Sequence, residues 1–359
     1  MAGLRQRVLQ PGEKIRVLVV DDSVVIRRLV AHALAEEPQI EVVGAAANGA
    51  IALERIAQLN PDVLTLDVEM PEMDGLELLR RLRGRYPNLR IVMFSTLTER
   101  GAAVTFEALA LGADDYVAKV SNEGSLDRSL DRLRRELVPK IKQFFLAPAP
   151  AAARPAPPMV AAPAPAAFRP KVVAIGVSTG GPTALARLLP ELPAGFPLPV
   201  LVVQHMPPMF TRLLAERLDA LCRLKVAEAS DGEPVEGGKI LIAPGDHHMK
   251  VTREEGKVRV RLDQSPPLNS CRPAVDALFG SLGETYGGAV LAVVLTGMGQ
   301  DGLRGAGILK ARGARLLAQD EASSVVWGMP GAVVAAGLAD RVVPLERIGK
   351  EILGFVDRG

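Results

Sequence analysis

Short, nearly continuous apolar runs alternate along this chain with longer stretches in which apolar residues recur every three or four positions. IRVLVV, EVVGAA, VLTLDV, RIVMFS and DYVAKV have the length and branched content of buried strands. The stretches that start at Val24, Ala50, Gly75, Gly101 and Ser125 predict the helices between them. This alternation predicts an α/β unit, a (βα)5 parallel sheet with helices on both faces. From Ala147 to Pro170 the pattern stops and the chain reads APAPAAARPAPPMVAAPAPAAFRP. Alternating Ala and Pro suit neither helix nor central strand, since proline lacks a donor and clashes with the preceding turn. The segment 147–170 reads as an extended, protease-sensitive spacer between two domains. Beyond it, VVAIGVS, VLVVQH, ILIAPG and AVLAVVLTG predict buried strands, and PTALARLL and FTRLLAERLDAL predict helices. KVRVRLD alternates in polarity behind EEG, which predicts a small antiparallel hairpin on the rim of a doubly wound α/β domain. No internal repeat links the halves.

Composition changes this picture little. The chain has 359 residues, 48% hydrophobic but only 4% aromatic, so two cores must be built from Val, Leu, Ile and Ala. With 43 basic and 41 acidic residues the net charge is +2, and no broad field draws the chain to nucleic acid or to anionic membrane. No helix-turn-helix signal follows the spacer. No apolar run approaches the roughly 20 residues needed to cross a bilayer, so the protein is not expected to be membrane-integral. The start, MAGLRQRVLQPGEKIR, lacks the apolar core of a signal peptide, and the two cysteines, Cys222 and Cys271, lack metal-ligand spacing. A reducing cytoplasm fits both observations.

Candidate chemistry gathers at strand ends, where open α/β sheets carry function. Asp21 and Asp22 follow IRVLVV, and Asp67 follows VLTL. Carboxylates gathered at one point repel, and a hard divalent cation such as Mg2+ relieves the repulsion. Ser95 closes the fourth strand and Lys119 the fifth, a hydroxyl and an ammonium suited to phosphoryl oxygens. The plainer alternative is that Asp-Asp-Ser caps a helix through Ser23.

VLVVDDSVVIRRLV, LTLDVEMPEMDGLELL, MFSTLTERG and GADDYVAK resemble the response-regulator receiver family, over residues 14–138. The resemblance implies that Asp67 is the phospho-acceptor and that Asp21, Asp22, Asp67 and the Glu69 carbonyl bind Mg2+. It also implies that Ser95 and Lys119 contact the phosphoryl group and that Tyr116 is the switching aromatic. One departure stands out: the family has Lys-Pro where this chain has Lys119-Val120, and a cis peptide there is costly without proline.

In the second half, VVAIGV runs into Ser178-Thr179-Gly180-Gly181-Pro182. G-x-S-x-G at a strand-to-helix turn exposes a serine hydroxyl beside helix amides able to hold an oxyanion. A serine nucleophile needs a base, and His205 ends the next strand. His32 lies in a helix of the first domain, and His247 and His248 sit in a turn whose reading as a metal site is weak. Asp301, in the Gly-rich loop after AVLAVVLTG, is the first candidate to orient the imidazole; Asp276 in the helix PAVDALF competes but ranks lower, because helical acids are usually solvated. The competing reading of GVSTGG is a phosphate- or dinucleotide-binding turn, although Gln204 and His205 stand where a ribose-binding acid would.

GVSTGGPTAL, VVQHMPPMFTRLLAERL, ILIAPGDHHM and VLTGMGQDGLRGA resemble the catalytic domain of chemotaxis protein-glutamate methylesterases, over residues 171–359. The resemblance implies Ser178 as nucleophile, His205 as general base and acid, and Asp301 as orienting carboxylate. Thr179 and Met298 match active-site positions, Met298 through its backbone amide at the oxyanion hole. The implied activity is hydrolysis of glutamate γ-methyl esters on chemoreceptors, without a cofactor, together with deamidation of glutamines. The implied phosphodonor is a chemotaxis histidine kinase, and phosphorylation of Asp67 is expected to relieve inhibition by the receiver.

Overall fold

A computed structural model describes residues 9–10, 12–96, 98–119, 126–145 and 168–357 of the chain. Two compact units divide it, residues 1–147 and 148–359. Most of the spacer read at 147–170, and the Lys119–Val120 peptide, lie outside the described residues. The last spacer residues are described, and Phe168 packs edge-on against Phe355 at 5.7 Å with the Arg315 guanidinium 5.9 Å from its ring centre. They belong to the second unit's packing.

The first unit runs β1 (Ile15–Val20), α1 (Val24–Ala35), β2 (Ile40–Ala46), α2 (Gly49–Leu59), β3 (Val63–Asp67), α3 (Gly75–Arg83), β4 (Arg90–Ser95), α4 (Glu99–Ala110), β5 (Asp115–Ala118) and α5 (Leu126–Lys142). Its strands pair in parallel in the order β2-β1-β3-β4-β5. The central strands β3 and β4 are buried at every position, odd and even, which requires cover on both faces. Polar caps set the helix starts: Ser23, Asn48, Asp74 and Thr98 each accept an amide of the following turn. Thr98 explains why α4 begins at Glu99, ahead of the Gly101 read from the pattern.

The second unit adds β6 (Val172–Val177), α6 (Gly181–Leu188), β7 (Val200–Gln204), α7 (Pro208–Leu221), β8 (Lys225–Glu228), β9 (Lys239–Ile242), β10 (His248–Glu254), β11 (Lys257–Asp263), α8 (Val275–Tyr286), β12 (Val290–Val294), α9 (Leu303–Ala311), β13 (Arg315–Gln319), α10 (Met329–Ala335), β14 (Arg341–Val343) and α11 (Leu345–Asp357). Seven parallel strands form one sheet in the order β14-β13-β12-β6-β7-β9-β8. The expected hairpin is the separate antiparallel pair β10–β11. On one face Val172, Ala174, Leu201, Val203, Val290, Ala292 and Val294 pack with Val275, Leu278, Phe279 and Leu282 of α8 and with Met249, Val251 and Val260 of the hairpin.

The position of β6 matters for function. The chain leaves it toward β7 on one side, and β12 pairs with its other side. This is a topological switch point, where loops diverge and leave a crevice at the carboxyl ends of the strands. Ser178, His205 and the Thr296–Asp301 loop all emerge there.

Candidate functional site

In the first unit, three carboxylates meet where the carboxyl ends of β1 and β3 adjoin. Asp21, Asp22 and Asp67 each present an oxygen, and the three oxygens lie within 4.8 Å of one another. Lys119, just past β5, places Nζ 2.7 Å from Asp67 Oδ2 and 3.0 Å from Asp21 Oδ2. Burial pushes the Asp67 carboxyl up to about 6, the hydrogen bond from Lys119 opposes this, and the charge of Asp21 adds to it. For Lys119, burial acts to lower the pKa, but contact with Asp67 and Asp21 outweighs it and the ammonium is favoured.

The capping reading of Asp-Asp-Ser is also correct in part. Ser23 Oγ accepts Ile26 N at 3.4 Å, and Asp21 Oδ1 accepts Ser23 N at 2.9 Å. Asp21 thus divides its oxygens, Oδ1 to the helix start and Oδ2 to the acidic pocket. Asp21 Oδ2 is buried and accepts no well-angled hydrogen bond, despite the nearby Lys119. Three carboxylates gathered into one all-oxygen donor set fit a hard divalent cation.

The remaining receiver residues are placed less tightly. Glu69 and Asp22 line one open cleft with Arg100, and the Glu69 side chain pairs with Arg100 at 3.3 Å. Ser95 is buried, and its hydroxyl donates to Gly101 O at 2.9 Å, toward α4. Tyr116 is buried on β5, with Lys140 Nζ 5.0 Å from its ring centre; burial raises its phenol well above the ordinary value.

In the second unit, β6 delivers Ser178 into a turn fixed on three sides. Ser178 N donates to Thr296 O at 3.0 Å, Ser178 O accepts Gly181 N at 2.8 Å, and Gln204 Nε2 donates to the same carbonyl at 2.9 Å. Gly180 sits at φ +79°, which glycine adopts at little cost. Gly297 permits the β12 loop to pass close by, since a Cβ there would lie 2.8 Å from Ser178 Cβ. Gln204 is buried in this role, so the nucleotide reading loses the position at which it needs a ribose acceptor. Thr179 is buried, its carbonyl accepting Thr296 Oγ1 at 2.9 Å, while Met298 is one of the exposed large apolar side chains.

His205 follows β7 and is held by its own backbone, with N donating to Val177 O at 3.2 Å. Its Nε2 lies 2.8 Å from Asp301 Oδ2. Burial acts to lower the imidazole pKa, but hydrogen bonds with Asp301 and Cys271 outweigh it and bring it to about 9. Asp301 has a further task. The residue at the N-cap of α8 is Ala274, which has no side chain to cap with. Asp301 Oδ2 accepts Val275 N at 2.6 Å, and Oδ1 accepts Asp276 N at 3.1 Å and Gly302 N at 3.0 Å. Burial acts to raise the Asp301 carboxyl, but the His205 contact and these amides hold it below the usual carboxylate value. Asp276, the competing acid, does not reach His205; its Oδ1 accepts Gly305 N at 2.7 Å.

The structure also brings in residues the sequence did not single out. Cys271 Sγ lies 3.6 Å from His205 Nδ1, the nitrogen left over from Asp301. Among the described residues no hydrogen bond joins the Ser178 hydroxyl to His205. Asn269 reaches Asp301 from the same loop as Cys271. No periodicity marked either residue, although Pro266, Pro267 and Pro273 around them mark an irregular loop. His248 is fully buried: Nδ1 accepts Ala274 N at 3.2 Å and Nε2 faces Pro266 O at 3.2 Å, which ties this loop to β10. His247 Nδ1 meets Gly245 O at 3.2 Å. Both cysteines are free.

Comparison with known proteins agrees with this geometry. Residues 173–352 match the CheB methylesterase family and residues 17–131 the response regulator receiver domain. A protein of Trichodesmium erythraeum named protein-glutamate methylesterase/protein-glutamine glutaminase is 49% identical, covering 95% of this chain and 98% of its own length. One of the same name from a Nocardioides species is 53% identical, over 96% and 95%. The crystal structure of the Thermotoga maritima CheB methylesterase catalytic domain superposes with a TM-score of 0.51 at 46% identity, covering 52% of this chain and 99% of that one. A strand-end serine, a His–Asp pair, an acidic pocket and these relatives lead to one assignment: the chain belongs to the CheB methylesterase family, with a receiver domain preceding its catalytic domain.

Proposed function

We propose that this chain is a phosphorylation-activated serine hydrolase that removes methyl groups from glutamate γ-methyl esters of chemoreceptors and deamidates receptor glutamines, resetting receptor sensitivity in chemotaxis. The observation that carries the reading is the His205–Asp301 pair at 2.8 Å on the sheet edge where Ser178 emerges. With Nε2 committed to Asp301, Nδ1 of His205 is the nitrogen that takes the Ser178 proton. Ser178 Oγ then bonds to the ester carbonyl carbon, and the collapsing adduct expels methoxide, which leaves as methanol with the proton from His205. Water, deprotonated by His205, hydrolyses the glutamyl ester and regenerates Ser178. Thr179 and the backbone amide of Met298 support the oxyanion.

In the receiver, Asp67 is the phospho-acceptor, with a histidine kinase of the chemotaxis pathway as donor. Asp21, Asp22, Asp67 and the Glu69 carbonyl would hold Mg2+, which supplies positive charge against the clustered carboxylate and phosphoryl oxygens. Lys119 contacts the phosphoryl group, and Ser95 and Tyr116 carry the change into α4 and β5. Phosphorylation relieves inhibition of the esterase, and the work is done in the cytoplasm on the cytoplasmic parts of receptors. The domains run over 14–138 and 171–359, with 147–170 as spacer.

The test is methanol release from methylated receptor, with and without a small phosphodonor and Mg2+. Ser178→Ala should abolish release in a folded protein, and Asp67→Asn should remove the response to phosphodonor. Methanol release that survives Ser178→Ala would remove Ser178 from the mechanism.

A further inference from the structure

The loop between β11 and α8 folds back over the His205–Asp301 pair. Leu268 and Cys271 close a tight turn, N to O at 3.1 Å in one direction and 2.8 Å in the other. Between them Asn269 and Ser270 both take positive φ, 49° and 62°. Two consecutive left-handed residues define a primed turn, and asparagine is among the few side chains that enter it at low cost. The turn aims the Asn269 amide downward. Its Nδ2 donates to Asp301 Oδ1 at 2.9 Å and to Asp276 Oδ2 at 2.9 Å.

The chemistry of the amide matters here. A primary amide is neutral and carries two hydrogens on one nitrogen, so it can bridge two carboxylates. A lysine would bridge them too, but its charge would compete with the imidazole for Asp301. A hydroxyl has one proton and could satisfy only one acid. Asp276 is itself anchored by Gly305 N, so the amide is tied to a fixed point. On Asp301 the oxygens are then sorted. Oδ1 takes Asn269, Asp276 N and Gly302 N, and Oδ2 is left for Val275 N and His205.

We propose that Asn269 is a positioning residue for the hydrolysis: it fixes the plane of the Asp301 carboxylate and, through it, the ring of His205. This rests on the reading of His205 and Asp301 as the base and its orienting acid.

The test must separate the amide from the turn that presents it. Asn269→Gly and Asn269→Asp both keep a residue that tolerates left-handed backbone, and both lose the donor. Each should lower kcat for methanol release by about 10- to 100-fold, the usual effect of losing a hydrogen bond to a charged group, with KM little changed. Asn269→Asp also sets a third carboxylate against Asp301, so the acid limb of its pH–rate profile should move to higher pH than in the wild type. The same upward move should appear in an NMR titration of the His205 ring in the full-length protein. Wild-type kcat in both variants would show that Asn269 only shapes the turn and would overturn the proposal, as would an imidazole titration unmoved in Asn269→Asp. Should the wild type release no methanol, the hydrolase reading would fall, while the NMR titration, which needs no substrate, would still decide whether Asn269 acts on the pair.

Discussion

The receiver carries a cost at its proposed phospho-acceptor, and replacing Asp67 by Asn should release it. Burial and Asp21 raise the Asp67 carboxyl from 3.8 to about 6 despite Lys119. In the unfolded chain the group keeps its ordinary value. Below pH 3.8 Asp67 is protonated in both states, and the folded receiver bears no penalty. As pH rises the unfolded chain ionises first, and the penalty is complete once pH passes about 6. A shift of about two units corresponds to about 3 kcal/mol at neutral pH. That figure already contains the attraction of Lys119, and an amide is an imperfect stand-in for a protonated carboxyl, so the expected net stabilisation by Asp67→Asn is about 2 kcal/mol. The side chain is only 4% exposed, so solvent screening removes little of this. Native-state hydrogen exchange of β1, β3 and β4 amides in the full-length protein, without Mg2+, reads the effect directly. Protection should rise about 30-fold near pH 7.5 in the variant, and the gain should shrink toward nothing as pH falls to about 4. Mg2+ should stabilise the wild type more than the variant, because it relieves the same repulsion. Equal or lower protection in Asp67→Asn at pH 7.5 would refute the argument that burial dominates this carboxylate.

Three further outcomes follow from the second unit. Asp301→Ala leaves the Val275, Asp276 and Gly302 amides without their buried acceptor, so the unit should lose about 3 kcal/mol or more; urea denaturation followed by Trp327 fluorescence would show it, and a loss below about 1 kcal/mol would contradict the capping role. Both cysteines are half-buried, but burial pushes the Cys222 thiol up to about 11, so iodoacetamide at neutral pH should alkylate Cys271 first, and the adduct beside His205 Nδ1 should silence methanol release; intact mass and activity after one equivalent, with Cys271→Ala as the resistant control, decide this. To act as the proposed base His205 must be neutral, and it is held at about 9, so the acid limb of kcat/KM should lie above the ordinary imidazole value of 6.5, and Cys271→Ala should lower it; a wild-type limb at or below 6.5 would count against the support from Asp301 and Cys271 together, and a limb unmoved by Cys271→Ala against the His205–Cys271 contact.

The main architecture was legible because its signal is local. Each central parallel strand is a nearly continuous apolar run; Asp67 ends one, and Ser178, His205 and the loop that carries Asp301 follow others. The short strands β8, β13 and β14 lacked that signal: KVAE, RLLAQ and RVV are brief, and charged or polar at their ends. The contacts that tune the site were hidden for a different reason. Cys271 and His205 are 66 residues apart, and Asn269 and Asp301 are 32 apart. Their meeting depends on a primed turn whose Asn-Ser pair is not the usual Asn-Gly. The capping of α8 by Asp301 was equally invisible, since the cap comes from another loop while the local residue, Ala274, predicts none. Asp276 ranks below Asp301 in the sequence because an acid on a helix is usually solvated, and the structure shows the two acids joined through Asn269.

The double use of Asp301 constrains how this enzyme could lose its activity. A chain drifting toward a non-catalytic binding role, or an engineer seeking a form that captures receptor without processing it, has unequal routes. Loss at Asp301 would remove the proposed support of the base and free the start of α8 together, so inactivity would arrive with a weakened domain. Loss at Ser178 removes a hydroxyl on which none of the described hydrogen bonds depends, while the backbone bonds that hold the turn remain. Durable inactive relatives of this domain should therefore have changed the serine and kept the aspartate.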